Sequence, residues 1–211
     1  MTLFTKKVSS YSGIGDTFKY LAVGGDKPGI LNLIDNGTSG SYLQFGNAAG
    51  LRRASIAAAN GSDLVFTLNS SNTGTNLTER LRIKASTGNV GIGTNAPNAK
   101  FQVEEYGIDT TETSTTATTQ VAIHTMSATA FRSARFTVQV TNSTDSTYHL
   151  TEILMIHDGT TPSITEYGTI FTGSAEATFD ADISSGNVRL LATPASTDTM
   201  EFKVVAHSIT T

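Results

Sequence analysis

Residues 79–103 read ERLRIKASTGNVGIGTNAPNAKFQV. Taken physically, this is strand, tight turn, strand, kink, strand. Leu81 and Ile83 alternate with Arg80, Arg82 and Lys84, the period of a half-exposed strand. Ser86-Thr87-Gly88-Asn89 is turn chemistry, because Gly and Asn tolerate positive φ. Val90-Gly91-Ile92-Gly93 sets branched residues on one face and glycine on the other. Pro97 has no N–H and stops ladder hydrogen bonding. Phe101 and Val103 then resume the alternation.

The same stretch contains a misleading match. Gly91-Ile92-Gly93-Thr94-Asn95-Ala96 spells G-x-G-x-x-A, a form of the dinucleotide-binding turn. That turn requires a helix after it and a βαβ unit around it. Here Pro97 and a new strand-like run follow, and no helical period or partner acid is present. A lone glycine pattern arises easily in a glycine-rich chain. The stretch is read as turn and kink, and no cofactor is expected.

Working outward, residues 29–106 read as a glycine-rich region of short strands. They are placed at 30–34, 41–46, 53–58, 63–69, 79–84, 88–93 and 99–104. Asn36-Gly37, Asn47 and Asn60-Gly61 lie between them, and Asn-Gly suits the type I′ hairpin turn. Arg53 to Ala59 could also be written as a single helical turn. Each strand offers only two or three large apolar residues. A region this size buries little surface alone. Without disulfides or metal ligands, self-association is the remaining stabiliser. Residues 1–28 form an opening segment, with a strand-like run at Phe18, Tyr20 and Ala22.

Residues 107–118, GIDTTETSTTAT, are almost free of apolar side chains and read as a Thr-rich linker. Beyond it, residues 119–211 carry about seven strands at even spacing. They are placed near 119–127, 131–141, 148–157, 163–172, 175–184, 187–193 and 199–208. Phe136, Val138 and Val140 share one face. So do Phe179, Ala181 and Ile183, and so do Met200, Phe202, Val204 and Ala206. This is the pattern of an antiparallel β-sandwich, without the paired cysteines and tryptophan of immunoglobulin domains. Ile153-Leu154-Met155-Ile156 is apolar on both faces. It suits either a central strand or one that also meets a neighbouring subunit. The fold class expected is therefore all-β throughout.

Composition agrees. Charged residues are 15% of the 211, and the remaining polarity is mostly Thr, Ser, Asn and Gly. Helical bundles and coiled coils need charged exposed faces. Net charge is −4 with dispersed basic residues, so nucleic acid is not an expected partner. There is no cysteine, which excludes disulfides and thiolate zinc sites. No run approaches the ~18 apolar residues of a membrane helix, and Met1 to Lys7 lacks the apolar core of a signal peptide. Synthesis in a cytoplasm without export is the expectation.

The words Glu79-Arg80-Leu81-Arg82-Ile83 and Gly88-Asn89-Val90-Gly91-Ile92-Gly93-Thr94, followed by Pro97 and Lys100, resemble a recurrent segment of bacteriophage tail-fibre and related virion fibre proteins. It is frequent in phages of marine bacteria and in cyanophages. Ser41 to Gly46 and Asp63 to Phe66 are similar to pieces that usually precede it. The resemblance covers about residues 30–105, with Thr87 and Leu81 in place of the usual serine and methionine.

It implies a homotrimer located in the virion, with residues 29–106 as a shaft or collar. Its glycines would let three backbones approach, and Pro97 would turn each chain toward the C-terminal sandwich. It also implies contact of the N-terminal part with other virion proteins and, in the C-terminal part, with a host cell-surface glycan or protein. Residues 1–28 are then a virion anchor, or else simply the first hairpin of the same domain. The expected role is a tail fibre or spike. The alternatives are a capsid decoration or baseplate subunit and, thirdly, a polysaccharide-degrading spike. The chain is expected not to be an enzyme.

No catalytic, cofactor-binding or metal residue is assigned, and each candidate has a plainer reading. His124, His149, His157 and His207 are taken as surface or interface residues. His149 and His157 share strand parity but are too far apart for one ion. A trimer axis could gather three copies of a single histidine. Asp180 and Asp182 share a face, with Glu176 nearby, which could suit calcium or glycosidic chemistry. With Phe179, Ala181 and Ile183 opposite, they read most simply as a solvated face. No G-x-S-x-G word occurs. Tyr148 and Tyr167 could stack on sugars but read as ordinary strand-edge tyrosines.

Overall fold

The computed structural model describes residues 42–46, 52–59, 63–69 and 77–211. The expectations for residues 1–28, the strand at 30–34 and the turns at Asn36-Gly37, Asn47 and Asn60-Gly61 lie outside the described residues. All described strands belong to the unit Asp35–Thr211. The all-β expectation holds.

Strands β1 (Tyr42–Gly46), β2 (Arg52–Ala59), β3 (Asp63–Asn69) and β4 (Leu77–Ile83) form an antiparallel meander. The run Arg53 to Ala59 is thus strand, not a helical turn. β5 (Val90–Ile92) pairs antiparallel with β4 and parallel with β6 (Phe101–Val103). A turn at Glu104-Glu105 leads into β7 (Tyr106–Thr115). There follow β8 (Val121–Ser127), β9 (Phe131–Asn142), β10 (Thr147–His157), β11 (Pro162–Phe171), β12 (Ala177–Ser184), β13 (Asn187–Pro194) and β14 (Met200–Thr210). One eleven-stranded sheet runs β1-β2-β3-β4-β5-β6-β7-β14-β9-β10-β11, and a three-stranded sheet runs β12-β13-β8.

The segment read as a linker, 107–118, is corrected. Most of it is β7, hydrogen-bonded to β6 on one side and along its whole length to β14 on the other. Threonine is β-branched and suits a pleated surface. Its polarity is met locally: Thr111 Oγ1 donates to the Ile123 carbonyl at 2.7 Å. Apolar content alone hid a strand whose strength lies in its backbone ladder.

The three-stranded sheet packs across the C-terminal strands of the large sheet as a second layer. One core lies between them. Phe136, Val138 and Val140 of β9 meet Phe202 and Val204 of β14, with Val188 and Leu190 of β13 from the other layer. Burying each such side chain contributes about 1.5–3 kcal/mol. Ile153 and Met155 of β10 join this core, while Leu154 and Ile156 point the other way and are exposed. β10 is the penultimate strand of its sheet, and no described element of the chain covers its outer face.

Two departures at residues 79–103 have local causes. Arg82 is buried, not solvated. Its guanidinium takes both oxygens of Glu79, at 2.8 and 2.6 Å, and an Asp63 oxygen at 2.5 Å. Its hydrogen bonds to Glu79, then to Asp63, push its pKa up. The charged side of β4 is therefore the covered side, and Leu81 and Ile83 lie on the outer face. Gly91 serves its own chain: a Cβ there would stand 2.6 Å from the Thr94 carbonyl and 3.3 Å from Pro97 Cδ. The loop 93–100 folds over that gap, with Pro97 and Ala99 buried.

Ala99 reaches the main core, where Gly107 receives it. A Cβ on Gly107 would meet Ser208 Oγ at 2.7 Å, Ala99 Cβ at 3.0 Å and Phe131 Cε1 at 3.2 Å. Gly107→Val is therefore expected to destabilise the fold by about 1–3 kcal/mol, read as an earlier urea midpoint with an unchanged slope. Gly159→Val serves as a control for added bulk, since no atom lies within 4 Å of that position's Cβ, although its positive φ adds its own strain.

Candidate functional site

Three of the four histidines lie inside the fold, which corrects their reading as surface or interface residues. His124 is buried, with Nδ1 3.2 Å from Thr111 Oγ1 and its ring against Phe136. His157 Nε2 donates to the Phe131 carbonyl at 2.7 Å, and its Nδ1 accepts from Gly159 N at 3.1 Å. Both bonds fix its tautomer and close the end of β10. His149 is 1% exposed, and neither ring nitrogen has a hydrogen-bond partner. It stands between the rings of Phe171 and Phe179, and its Nε2 is 3.9 Å from Glu166 Oε1. His207 faces outward and hydrogen-bonds the Tyr106 hydroxyl.

The carboxylates do not converge. Asp182 is engaged by Arg189, whose Nε donates at 2.7 Å. The hydrogen bond from Arg189 holds the Asp182 carboxyl below the usual range. Asp180 accepts from the backbone of Ala181. Glu176 is buried and works structurally, accepting from Thr147 Oγ1 at 2.5 Å and Asn142 Nδ2 at 3.4 Å. Asn142 opens the turn cluster Asn142-Ser143-Thr144-Asp145 that the sequence indicates; it also donates to Asp198 at 3.0 Å and caps the β9–β10 turn by accepting from Thr144 N and Asp145 N. An Asn directly before Ser-Thr-Asp was the available signal. Among the described residues, no group of three or more His, Cys, Asp or Glu side chains is placed to hold a metal ion.

The Gly91–Ala96 match ends in the loop over Gly91, with no helix after it. Tyr148 and Tyr167 are both exposed on the outer face of the large sheet, where the Tyr167 hydroxyl donates to Glu152 at 2.7 Å.

That outer face carries an open groove of about 720 Å³. Ser133 and Arg135 of β9 form its floor. In register beside them stand Ile209 and His207 of β14 on one side, and Ile156 and Leu154 of β10 on the other. A small residue between two branched ones makes the trough. A second hollow of about 440 Å³ lies between β10 and β11, lined by Tyr148, Leu150, Ile170 and Phe171, with His149 at its base. Both are mostly apolar; the first adds hydroxyls with Arg135 and His207, and the second adds Gln139.

No family model and no curated protein matches the sequence. Two solved structures are similar over half of the chain. One is the tailspike protein of Acinetobacter baumannii phage AM24, at 5% identity and a TM-score of 0.33, covering 50% of this chain and 27% of that one. The other is the tailspike protein of Acinetobacter phage vB_ApiP_P1, at 19% identity and a TM-score of 0.28, covering 50% and 21%. The chain thus matches well under half the length of either. Against this finding the expectation that the chain is not an enzyme is overturned, and it is dropped.

Burial holds both His149 and His124 below the ordinary histidine value of 6.5, although Glu166 and Glu176 pull His149 up and Asp109 pulls His124 up. In the unfolded chain both imidazoles protonate near that value. Stability from keeping them neutral is complete above it and is lost as pH falls through 6.5 toward the folded value, at about 1.4 kcal/mol per unit of depression. The melting temperature is expected to fall between pH 7.5 and 5. His149→Leu, which removes no hydrogen bond, should flatten part of that slope and raise stability at the acid end. A variant equally pH-sensitive would assign the slope elsewhere.

Proposed function

We propose that the chain is a structural component of a bacteriophage particle, a trimeric tail fibre or spike that contributes to attachment at the host cell surface. The resemblance of residues 79–103 to virion fibre segments motivates this reading. The observation that carries it is where those residues sit. They form β4, β5 and β6, and these belong to the same hydrogen-bonded sheet as the C-terminal strands. A fibre-type segment thus continues without a hinge into a two-layer head.

Attachment by such a protein works through multiplicity. Three weak sites per fibre and several fibres per particle raise avidity without any tight single site. The N-terminal part would meet other virion proteins, and the C-terminal part a glycan or protein of the host.

Purified protein added to host cells before infection is expected to reduce phage adsorption in a dose-dependent manner, and antibody-labelled particles should show it on the tail. Unchanged adsorption with label on the capsid or baseplate would replace this reading by a decoration or baseplate role. Release of reducing sugar from host polysaccharide would instead make the chain a polysaccharide-degrading spike.

A further inference from the structure

The exposed large apolar side chains are not scattered. Leu43, Phe45, Leu64 and Leu68 in the N-terminal strands, and Leu150, Leu154, Ile156 and Ile170 in the C-terminal ones, are each at least 39% exposed. The ladder registers put them all on one face of the eleven-stranded sheet. Ile92, Phe101, Tyr106, Val205 and Ile209 lie on the same face. Among the exposed large hydrophobics of the described residues, only Phe171 points to the other side, toward His149.

With half-buried Ile56, Phe66, Leu81 and Val103 they form a row across the sheet, interrupted by Ser133. Leu43 pairs with Ile56, Ile56 with Phe66, Phe66 with Leu81, Leu81 with Ile92 and Ile92 with Val103. Val103 pairs with Tyr106, Tyr106 with Ile209, and the row passes over Ser133 to Ile156. At ~4.8 Å between strands this band crosses about 43 Å of sheet. A contiguous exposed patch of this extent marks an interaction surface.

We propose that this outer face is the subunit interface, covered by further copies of this chain whose own apolar bands face it. The inference rests on the trimer named above and assigns that trimer its contact surface. Size supports the choice of occupant. In the head alone, β7, β14, β9, β10 and β11 present about five outward positions each, close to the 20–30 residues a side of a stable interface. Charge supports it too. Lys203 lies 3.3 Å from Glu201, and Glu152 accepts from Tyr167, so these groups are paired within the face. A glycan requires directional hydrogen-bonding groups, and along this row only Tyr106 and Ser133 offer one, with Arg135 and His207 beside them. An anionic lipid surface requires a basic rim, and the chain carries net charge −4. The band spans fibre-type strands and head strands alike. Its cover must run the same length, and another copy of the chain does so by construction.

The test uses the full chain. Light scattering should give three times the 22.2 kDa protomer mass for the parent. Ile156→Lys with Ile209→Lys, both at exposed positions outside the core, should weaken association by about 100-fold or more and yield monomer with an unchanged circular dichroism spectrum. Thr178→Lys, on the exposed side of β12, should leave the trimer intact. A trimer unaffected by the double substitution overturns this interface and leaves the trimer standing. A monomeric parent overturns both, whatever the adsorption result. Because the chain has no cysteine, Ile156→Cys and Thr178→Cys give a second readout. Thiol labelling at 156 should be at least about tenfold slower than at 178, and equal rates overturn the proposal even if the lysine variants fold poorly.

Discussion

Strand β7 hydrogen-bonds to β6 on one side and to β14 on the other, and the large sheet is continuous only because of it. Tyr106 to Thr115 contribute almost no apolar burial. What they supply is a ladder of ten paired positions with β14, from Met200↔Thr115 to Ile209↔Tyr106. An unpaired buried backbone group costs as much as a lost hydrogen bond, so such a ladder fixes its strand even where side chains do little. Gly107 and Ala99 seal the junction at the level of side chains, where the loop over Gly91 reaches Phe131.

The same junction separates what was legible in the sequence from what was not. The strands at 63–69 and 187–193 were readable because apolar residues alternate between turn clusters. Asn187 pairs with Ser184 across Ser185-Gly186, as the turn chemistry indicated. β7 was hidden because its alternation is of threonine with acid, which composition reads as linker. The faces of β4 were read in reverse, since a strand that alternates Arg with Leu ordinarily turns Leu inward. Here Glu79 and Asp63 neutralise Arg82, and charge is what gets covered. Long-range partners of this kind, Asp63 above all, leave no periodicity to read.

Among the candidate residues, the sequence supplied names but not environments. His149 and His157 share strand parity on β10 as expected, yet one ring has two hydrogen bonds and the other has none. The difference comes from what β11, β12 and the β10–β11 turn place around them. Asp180 and Asp182 are adjacent on one face, but Arg189 across the ladder engages only the second. The groove on β9 depends on Ser133 falling between Ile209 and Ile156, a coincidence of three strands distant in sequence.

The placement of β14 also governs the order of assembly during synthesis. β7 and β9 flank β14 in the sheet, although among the described strands it comes latest in sequence. Until the ribosome has released residues 200–210, β7 and β9 each keep an open edge, and the core between the layers lacks Phe202 and Val204. Pairings this distant in sequence form slowly, because chain closure must precede any gain from contact. The nascent protein thus holds its N-terminal meander ready while its head waits for β14. Closure of the head follows the emergence of that strand from the ribosome, and so does any docking that depends on the register of its outer face.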